Sequence, residues 1–468
     1  MNKTEIPAFY DKIASRNAKR KKRRNRFYHR SLEKYFKHII PEGASVLELG
    51  SGNGDLLDAV KPAKGVGIDL SPEMVNTASK KYPELSFING DVEEISLDEK
   101  FDYIILSDLV SILWDVQKVF QEIKKVSHPR TKIVISYYNS AWEYAIRILE
   151  FFRLKQKQPI HNWLSVSDIN NLARLEDYEI VKNDRKILFP KYIPIFNLIV
   201  NKFFSNLPLI NRMNLVNLIT IRPFVPTKSE YSVTIVVPAR NEKGNIENAI
   251  KQTPAFGSWQ EFIFIEGNSS DGTYEEMLRV KEKYSEMKIQ VFKQTGKGKG
   301  NAVREAFDRA TGDILMILDA DLTTPPEEMP KFYEALATNK GEFINGCRLV
   351  YSMEKQAMRF LNLLGNKFFG HFFTFLLGQR LKDTLCGTKV LFKKDYIKIQ
   401  ENRSYFGDFD PFGDFDLLFG AAKLNLKITE VIVRYKDRVY GSTQISRFKH
   451  GWLLIRMSLF AANKLKFK

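Results

Sequence analysis

Two aspartates one residue apart, Asp319 and Asp321, follow a short apolar run in the stretch ILMILDADL. A near-continuous apolar run is typical of a strand that is buried on both faces. Residues two positions apart on an extended chain point to the same side, so we expect both carboxylates to face one ligand. A helix cap with a turn would explain one carboxylate but not the second. Because Mg2+ binds one or two carboxylates together with substrate phosphates, the pair predicts a divalent cation, Mg2+ or Mn2+, that holds a diphosphate.

Three more loops of the same half place charged residues beside predicted strands. VTIVVPARNE ends in Glu242, FIFIEGNSSDG carries Glu266 and Asp271, and the cationic loop GKGKGNAVREAF includes Lys299. The carboxyl ends of parallel strands meet at one edge of a sheet, so these loops are expected to converge. A helix N-terminus and a lysine suit the phosphates of a nucleotide.

A glycine-rich turn dominates the first half. SVLELGSGNGD runs from a predicted strand through Gly50, Gly52 and Gly54 into the helical stretch DLLDAV. Glycines there allow a tight turn and a close approach of the backbone to a ligand. Asp69 closes the next strand 19 positions after Gly50, where an acid suits a ribose diol. The turn alone is a weak signal, but together with Asp69 it predicts a nucleoside-binding loop.

Two further strand ends of the first half carry polar side chains. NGDVEEI places Asp91 after a third strand, where a carboxylate can meet an adenine amino group. FDYIILSDLV ends a fourth strand in Ser107 and Asp108, at the edge where ligands of such sheets bind.

Short apolar strands alternate with amphipathic helical stretches in both halves, which indicates βαβ units. Five strands are predicted in each half: SVLELG, GVGIDL, LSFING, FDYIILSD and KIVISYY, then VTIVVP, EFIFIEG, IQVFKQ, DILMILDAD and EFINGCR. The proline-containing stretch IRPFVPTKSEYS predicts the boundary between them. The expected fold class is α/β, with two tandem Rossmann-like domains at residues 1–225 and 226–468.

The composition is that of a globular chain. At 468 residues it is too long for one hydrophobic core, and about two to four domains are expected. Two cysteines cannot cross-link a fold of this size, and no secretory signal is recognisable, so a reducing cytoplasmic compartment is expected. The longest apolar stretches, such as IPIFNLIV, are too short to span a bilayer.

Three stretches raise the question of a membrane or nucleic-acid partner. The formal net charge is +17, and the run RNAKRKKRRNRFYHR suits nucleic acid, an anionic membrane or only a solvated helix face. The apolar, proline-broken stretch 189–220 predicts a subdomain over the sheet edge or, as the minority interpretation, a membrane-surface segment. A helix is predicted over 355–377, with Lys355, Arg359, Asn362 and Asn366 on a polar stripe. It would pack on protein or lie in a membrane interface, and the positive charge favours the membrane.

The first half resembles the class I S-adenosylmethionine-dependent methyltransferases from about Tyr10 to Pro223, through ELGSGNG, GIDLSPEM and GDVEEI. A dinucleotide oxidoreductase is the alternative, but its fingerprint G-x-G-x-x-G is not met. The resemblance implies binding of S-adenosylmethionine by residues of these motifs and the fourth strand: Glu48, Gly50, Gly52, Gly54, Asp69, Asp91 and Ser107. No asparagine-proline motif of amino-group methylation follows that strand, which favours an oxygen acceptor.

The second half resembles the family 2 glycosyltransferases, which have the GT-A fold, from about Tyr231 to the C-terminus. PARNE, GKGNA and the D-x-D strand carry the likeness, and DADLTTPPE is similar to the dolichol-phosphate mannose synthase type. The sequence departs from that family at Glu266-Gly267, where paired aspartates are usual, and at Thr323, where lipid-linked transferases often have glutamine.

The resemblance makes Asp319 and Asp321 the metal and diphosphate pair. It implies a nucleotide-sugar site formed by Pro238, Arg240, Glu242, Glu266, Asp271, Lys299 and Asp319. Arg348 and Arg438 stand where lipid-phosphate relatives keep arginines, and the bidentate fork of arginine suits a phosphate. Among the acids of FGDFDPFGDFD, Asp414 and Asp416 are predicted to face the site, where one would be the general base for a hydroxyl acceptor. A phosphate acceptor would need no base.

The whole order resembles bacterial fusions of such a methyltransferase to such a glycosyltransferase. It implies a bifunctional enzyme of glycan or glycolipid assembly, with a nucleotide-sugar donor and a polyprenyl-phosphate or glycan acceptor. Its expected location is cytoplasmic, with peripheral contact at the inner membrane face. Three alternatives stay open: a first half that binds cofactor without catalysis, an RNA methyltransferase, and a second half that only scaffolds.

Overall fold

The computed structural model describes residues 6–19, 26–152, 155, 162–227, 229–350, 360–403, 414–436, 438, 440 and 447–466. The chain divides into two compact units between Val225 and Pro226. No helix among the described residues is long and apolar enough to cross a membrane.

The first unit is a seven-stranded sheet with helices on both faces. Its elements are α1 (Ile6–Lys19), α2 (Arg26–Ile39), β1 (Ser45–Leu49), α3 (Asp55–Ala59), β2 (Lys64–Asp69), α4 (Pro72–Lys81), β3 (Ser86–Asn89), β4 (Phe101–Ser107), α5 (Val116–Lys125), β5 (Ser127–Tyr138), α6 (Glu143–Phe151), α7 (Val166–Leu175), β6 (Tyr178–Lys186) and β7 (Val216–Pro223). The strand order is β3-β2-β1-β4-β5-β7-β6, and β7 is antiparallel to both of its neighbours.

The parallel strands of this sheet form because they are apolar on both faces. Leu47 and Leu49 of β1 pack into one core with Ile104 of β4, while Val46 and Ile105 pack into the core on the other face. The loops after β1, β2 and β4 therefore leave the sheet at one carboxyl edge, where this architecture binds its ligands.

The second unit is another seven-stranded sheet. Its elements are β8 (Val233–Ala239), α8 (Ile246–Lys251), β9 (Gln260–Glu266), α9 (Thr273–Lys283), β10 (Lys288–Lys293), α10 (Lys299–Arg309), β11 (Ile314–Ile317), α11 (Met329–Ala337), β12 (Phe343–Cys347), α12 (Phe360–Leu377), β13 (Lys389–Phe392), α13 (Lys393–Glu401), α14 (Asp414–Lys423), β14 (Ile428–Ile432) and α15 (Arg447–Leu465). The order is β10-β9-β8-β11-β13-β12-β14, with β13 antiparallel to β11 and β12.

The predicted class of two tandem α/β domains is confirmed. The five strands expected in each half are present, and each sheet has two more: β6, β7, β13 and β14. Part of the stretch 189–220, expected to cover the sheet edge or lie on a membrane, is instead the buried strand β7.

The helix expected over 355–377 is α12, of which the described part begins at Phe360. Lys355 and Arg359 lie outside the described residues, as does the side chain of Asn362. Asn366 does not lie on a polar surface stripe, because it is buried and donates to Asp383 Oδ1 at 3.1 Å. The prediction was wrong for this residue because its amide has an interior partner.

Candidate active sites

Asp319 and Asp321 lie directly after β11, in a turn. Leu322 N donates to Asp319 O at 3.0 Å, and Leu322 has a positive φ of 54°. The chain therefore forms a turn here. The prediction that both carboxylates point to the same side assumed an extended chain. The turn nevertheless keeps both carboxylates at the carboxyl edge, and Asp321 Oδ1 accepts from Thr323 Oγ1 at 2.8 Å. Asp321 thus caps the turn with one oxygen and presents the other to a different partner.

A lysine from the glycine-rich loop holds the first aspartate. Lys299 is the first residue of α10, and its Nζ lies 2.6 Å from Asp319 Oδ1. Burial alone would raise the pKa of Asp319, but the charge and hydrogen bond of Lys299, with Lys389 and Arg348 beyond it, hold that pKa below its ordinary value. Asp319 is therefore a carboxylate at neutral pH.

An arginine from the C-terminal part of the chain links Asp321 to Glu242. Arg438 Nη2 lies 2.6 Å from Asp321 Oδ2, and Arg438 Nη1 lies 3.0 Å from Glu242 Oε1. Burial raises the pKa of Glu242 to about 7; Arg438 opposes that rise, and Asp321 adds to it. The site thus holds three carboxylates that are paired with a lysine and an arginine. The carboxylates could bind a metal ion, and the arginine could bind a phosphate.

The other residues predicted for a nucleotide site lie in the neighbouring loops. Glu266 is buried at the end of β9 and accepts from Ser269 N. Asp271 accepts from the backbone N of Thr273, the first residue of α9, at 3.1 Å and from Tyr440 Oη at 3.2 Å. Pro238 lies near the end of β8, and Arg240 is exposed in the loop that follows.

One glycine of this site was missed from the sequence. A Cβ built on Gly387 would overlap Asp319 Oδ2 and Lys299 Nζ. Gly387 therefore makes room for the ion pair. The stretch LCGTK gave only a weak signal for this, a glycine between polar residues before the unpredicted strand β13.

Arg348 and Asp416 have protein partners in this structure. Arg348 forms a two-pronged ion pair with the buried Asp383, at 2.7 Å from Nε to Oδ2 and 2.9 Å from Nη2 to Oδ1. Asp416 is buried, and its Oδ2 lies 3.2 Å from Arg403 Nε. The backbone of Asp414 begins α14, and its side chain lies outside the described residues.

The carboxyl edge of the first unit carries the glycine-rich turn. Gly52 N donates to Asp69 Oδ2 at 2.8 Å, and Ser71 N donates to Asp69 Oδ1 at 2.9 Å. Gly52 has a positive φ of 52°, and a Cβ there would meet nothing within 4 Å. The turn therefore leaves open space beside Gly52, where a ligand can approach the backbone.

The remaining glycines and acids of this edge differ in role. Gly50 and Gly54 have positive φ values of 72° and 75°, and a Cβ on them would lie 2.8 Å from Leu109 Cδ1 and 2.5 Å from Phe87 Cζ, so both positions favour glycine. Asp91 Oδ1 accepts from Glu93 N at 2.9 Å, and Ser107 Oγ lies 3.3 Å from Ser136 Oγ.

Asp108 and Tyr28 form a polar pair that the sequence did not reveal. Tyr28 Oη lies 2.9 Å from both carboxylate oxygens of Asp108. Burial raises the pKa of Asp108 to about 6, although Tyr28, Lys155 and Ser136 each lower it. A carboxylate with a pKa near neutrality at a ligand edge is a candidate base. The sequence placed Asp108 at the end of the fourth strand. It gave no sign of Tyr28 as its partner, because Tyr28 lies 80 positions away in α2.

Two family models match this chain, one in each half. Residues 20–183 match the model of a methyltransferase domain, and residues 234–399 match that of glycosyl transferase family 2. The chain joins a methyltransferase domain to a family 2 glycosyltransferase domain.

Three relatives in sequence are glycosyltransferases by name. Glycosyltransferase AglJ of Haloferax volcanii is 28% identical over 48% of this chain and 69% of its own length. A dolichol-phosphate mannosyltransferase of Pyrococcus furiosus is 32% identical over 25% of this chain and 33% of its own. An undecaprenyl-phosphate 4-deoxy-4-formamido-L-arabinose transferase of Edwardsiella ictaluri is 30% identical over 22% and 33%. The chain thus spans about a third of the length of the last two relatives.

Solved structures resemble the methyltransferase domain weakly. A putative methyltransferase in complex with the Trm112 activator of Haloferax volcanii has a TM-score of 0.37 at 19% identity, over 48% of this chain and all of that one. A possible histamine N-methyltransferase of Thermotoga maritima has a TM-score of 0.33 at 18% identity, over 42% and 90%.

The methyltransferase domain has features that fit its cofactor. Glu48 is buried in β1, its Oε2 has no hydrogen-bond partner among the described residues, and burial raises its pKa well above the ordinary value. A buried oxygen without a partner costs free energy, which a donor or cation on a ligand would offset. S-adenosylmethionine carries both an ammonium and a sulfonium cation.

The glycosyltransferase domain offers a fitting set of donors for a divalent cation in its aspartate pair. Hard cations prefer carboxylate oxygens, and Mg2+ takes only one or two of them when a diphosphate supplies the rest. Among the described residues, no group of three or more His, Cys, Asp or Glu side chains is arranged to hold a metal. Asp319 and Asp321 are the candidate protein ligands because both carboxylates lie at the edge that also carries Lys299.

Proposed function

We propose that this protein is a bifunctional transferase of glycan or glycolipid assembly. The glycosyltransferase domain transfers a sugar from a nucleotide-sugar to an acceptor, a polyprenyl phosphate, with inversion at the anomeric carbon. The methyltransferase domain transfers a methyl group from S-adenosylmethionine to a separate acceptor. Two relatives are a dolichol-phosphate mannosyltransferase and an undecaprenyl-phosphate sugar transferase by name, which supports the acceptor class.

The observation that carries the proposal is the convergence of Asp319, Asp321, Glu242, Lys299 and Arg438 at one sheet edge. Acids and cations that alternate around one edge suit a substrate that bears both a diphosphate and sugar hydroxyls. A structural role for the whole group would require only paired charges, not the meeting at one edge of residues that follow four different strands, β8, β10, β11 and β14.

Sugar transfer on this edge is a single displacement. A phosphate oxygen of the acceptor forms a bond to the anomeric carbon, while the bond from that carbon to the donor diphosphate breaks and the nucleoside diphosphate leaves with the electron pair. A bound divalent cation, held by Asp319 and Asp321, would neutralise charge on the leaving diphosphate. Lys299 and the N-terminus of α10 would contact the phosphates. No general base is needed because the acceptor is already an anion.

The methyl acceptor meets the cofactor beside Asp108 in this proposal. Asp108 would accept the proton of an acceptor hydroxyl, and Tyr28 would orient the carboxylate. Gly52 and Asp69 would bind the nucleoside part of the cofactor.

The test is a donor screen followed by transfer. Nucleotide sugars are added to the full chain with Mg2+, with Mn2+ or with EDTA, and thermal shifts identify the donor that stabilises the folded state. That donor is then incubated with a short-chain polyprenyl phosphate. Metal-dependent formation of a sugar–lipid phosphate supports the proposal. Transfer only to a sugar hydroxyl would reject the acceptor but keep the reaction, and absence of any donor binding would reject both.

The proposed location is the cytoplasmic side of a membrane, with peripheral attachment. A polyprenyl phosphate is anchored in the bilayer, so an enzyme that uses it must work at the interface. The positive net charge of +17 favours an anionic surface.

A further inference from the structure

The segment between β6 and β7 exposes an unusual number of large apolar side chains. Nine are at least two-fifths exposed, and we call them the apolar patch: Tyr192, Ile193, Ile195, Phe196, Ile199, Phe203, Phe204, Leu209 and Met213. Single exposed apolar residues are common on protein surfaces, but nine within 22 positions are not.

The same segment buries its polar side chains. Six asparagines and serines are buried, which is the reverse of an ordinary surface loop: Asn197, Asn201, Ser205, Asn206, Asn211 and Asn214. Asparagine is usually exposed, and burying it costs free energy unless it is hydrogen-bonded. The segment therefore buries its asparagine side chains and exposes most of its described large apolar ones.

Hydrogen bonds from these buried side chains hold the backbone in place. Asn201 Oδ1 accepts from Leu188 N and Phe189 N at 2.8 Å each. Asn211 Nδ2 and Asn214 Nδ2 each donate to Ser205 O at 2.9 Å. Because the asparagines fix the loop from within, the outward position of the apolar side chains is set by the structure and is not the result of a loose loop.

Ile195 adds a conformational argument. Its φ is 62°, a region that a β-branched residue rarely adopts, and its side chain is 76% exposed. Asparagine or glycine would be less strained there, and isoleucine forms no core at this position. The backbone of Ile195 is strained, yet its apolar side chain is exposed to solvent. This combination indicates that the side chain interacts with a partner outside the unit.

The charge of the segment indicates the partner. Lys191, Lys202 and Arg212 are exposed, and residues 187–229 contain no aspartate or glutamate. An apolar surface with four aromatic side chains, on a segment that carries cations and no acidic residue, suits the interface of an anionic bilayer.

The patch lies beside the ligand edge of its own unit. β7 begins at Val216, which pairs with Tyr138 at the end of β5. The ring of Tyr192 lies 5.7 Å from that of Phe27, the residue before Tyr28 of the Asp108 pair. The patch therefore adjoins the edge at which Asp108 was proposed to meet the methyl acceptor.

The helix α6 extends this surface. Tyr144, Ile148 and Phe151 are exposed and spaced four and three residues apart, so they lie on one face. Trp142 Nε1 donates to Met213 O at 2.8 Å, which places the start of α6 against the apolar patch.

We infer that the apolar patch docks the methyltransferase domain on an anionic membrane surface, so that its ligand edge faces acceptors carried in the bilayer. The inference deepens the peripheral location proposed above by assigning it a surface in this domain. It requires neither sugar transfer nor a polyprenyl-phosphate acceptor.

The test is flotation of the full chain with vesicles of phosphatidylcholine alone and of phosphatidylcholine with phosphatidylglycerol. The double variant Ile195→Asn/Leu209→Asn removes two exposed anchors, and asparagine relieves the backbone at residue 195. The matched control is Leu175→Asn, an exposed leucine on α7 outside the patch. We expect the natural chain to float with anionic vesicles and less in high salt, the double variant to lose at least tenfold in bound fraction, and the control to stay unchanged.

Two outcomes would overturn the inference. One is equal flotation of the natural chain and the double variant, which would place any membrane contact elsewhere. The other is no flotation with either vesicle together with a concentration-dependent dimer that the double variant dissolves, which would make a second copy the partner. Binding of S-adenosylmethionine and transfer to a short-chain acceptor in solution are measured on the same variants. Cofactor binding and transfer in solution should be unchanged in the double variant. A loss of membrane binding alone is thereby distinguished from a failure of the proposed function.

Discussion

Gly387 lies against Asp319 so closely that a single added methyl group would overlap the carboxylate of Asp319. Lys299 Nζ lies within the same space. The backbone at residue 387 is therefore a wall of the proposed donor site, although glycine has no side chain that could bind a sugar nucleotide.

Gly387→Ala is expected to lower sugar transfer at least tenfold, because the methyl group must displace the Asp319–Lys299 pair. Donor-induced thermal stabilisation should fall in parallel, while binding of S-adenosylmethionine by the other domain stays unchanged. The control is Gly365→Ala, where a Cβ meets nothing within 4 Å. Wild-type transfer by the Gly387 variant would show that Asp319 is not held in a fixed position during catalysis.

Asp321→Asn keeps the shape of the side chain and its acceptor for Thr323 but removes the charge. We expect sugar transfer to fall by orders of magnitude, because the charge is needed for the metal and for Arg438. Asp308→Asn is the matched control, since Asp308 is exposed further along α10 and accepts from Tyr396 Oη and Gln400 Nε2. A variant with the wild-type rate and metal dependence would reduce Asp321 to a turn cap.

Gly52→Val is expected to abolish binding of S-adenosylmethionine, because its side chain would fill the open space beside the glycine-rich turn. Sugar transfer should survive, since the second unit has its own sheet and core. Gly43→Val controls for backbone strain: Gly43 also has a positive φ, 80°, and open surroundings, but it precedes β1. Isothermal titration separates the two variants, and equal loss in both would attribute the effect to strain alone.

Ten of the fourteen described strands and the strand-end residues could be predicted from sequence because each signal is local. An apolar run followed by glycine or aspartate is visible within ten residues, as it is at Leu49 and at Leu318. Strands β6, β7, β13 and β14 were missed, and two of them for a visible physical reason. β6, YEIVKNDRK, has polar residues at most positions, and β13 is only four residues long.

The partners of the site residues could not be predicted because they come from distant parts of the chain. Arg438 reaches Asp321 across 117 positions, and Tyr28 reaches Asp108 across 80. Only the folded sheets bring such residues together. The stretch 189–220 shows a related limit, since its composition is apolar whether its side chains face a core or the solvent.

The raised pKa of Asp108 gives a prediction about stability. Its pKa is about 6 in the folded protein and near 3.8 in an unfolded chain. Between these values the folded state keeps a proton that the unfolded state has released, so this contribution favours folding at low pH and is lost as the pH rises through about 6. Asparagine carries no such group, so Asp108→Asn should gain stability relative to the natural chain from pH 5 to pH 7.

Between pH 5 and pH 7, the Tm of the variant minus the Tm of the natural chain should increase by roughly 2–4 °C. This corresponds to about 1 kcal/mol in the free energy of unfolding of a domain of this size. Differential scanning calorimetry measures it, and S-adenosylhomocysteine identifies the transition of the methyltransferase domain. Asp98→Asn, at an exposed position, should show no such trend. A Tm difference that falls with pH would mean that Asp108 is stabilised as an anion.

Glu48 gives the last prediction, because its carboxyl is buried, lacks a partner at Oε2 among the described residues and has a pKa well above the ordinary range. A cationic ligand beside it would favour the ionised form, so binding of S-adenosylmethionine should release a proton. Isothermal titration in buffers of different ionisation enthalpy measures this release. We expect a measurable release for the natural chain and for the exposed control Glu94→Gln, and close to none for Glu48→Gln. S-adenosylhomocysteine keeps the ammonium group but lacks the sulfonium charge, so a smaller release with this ligand would assign the effect to the sulfonium. Binding without proton release in the natural chain would show that Glu48 does not face a charge on the cofactor.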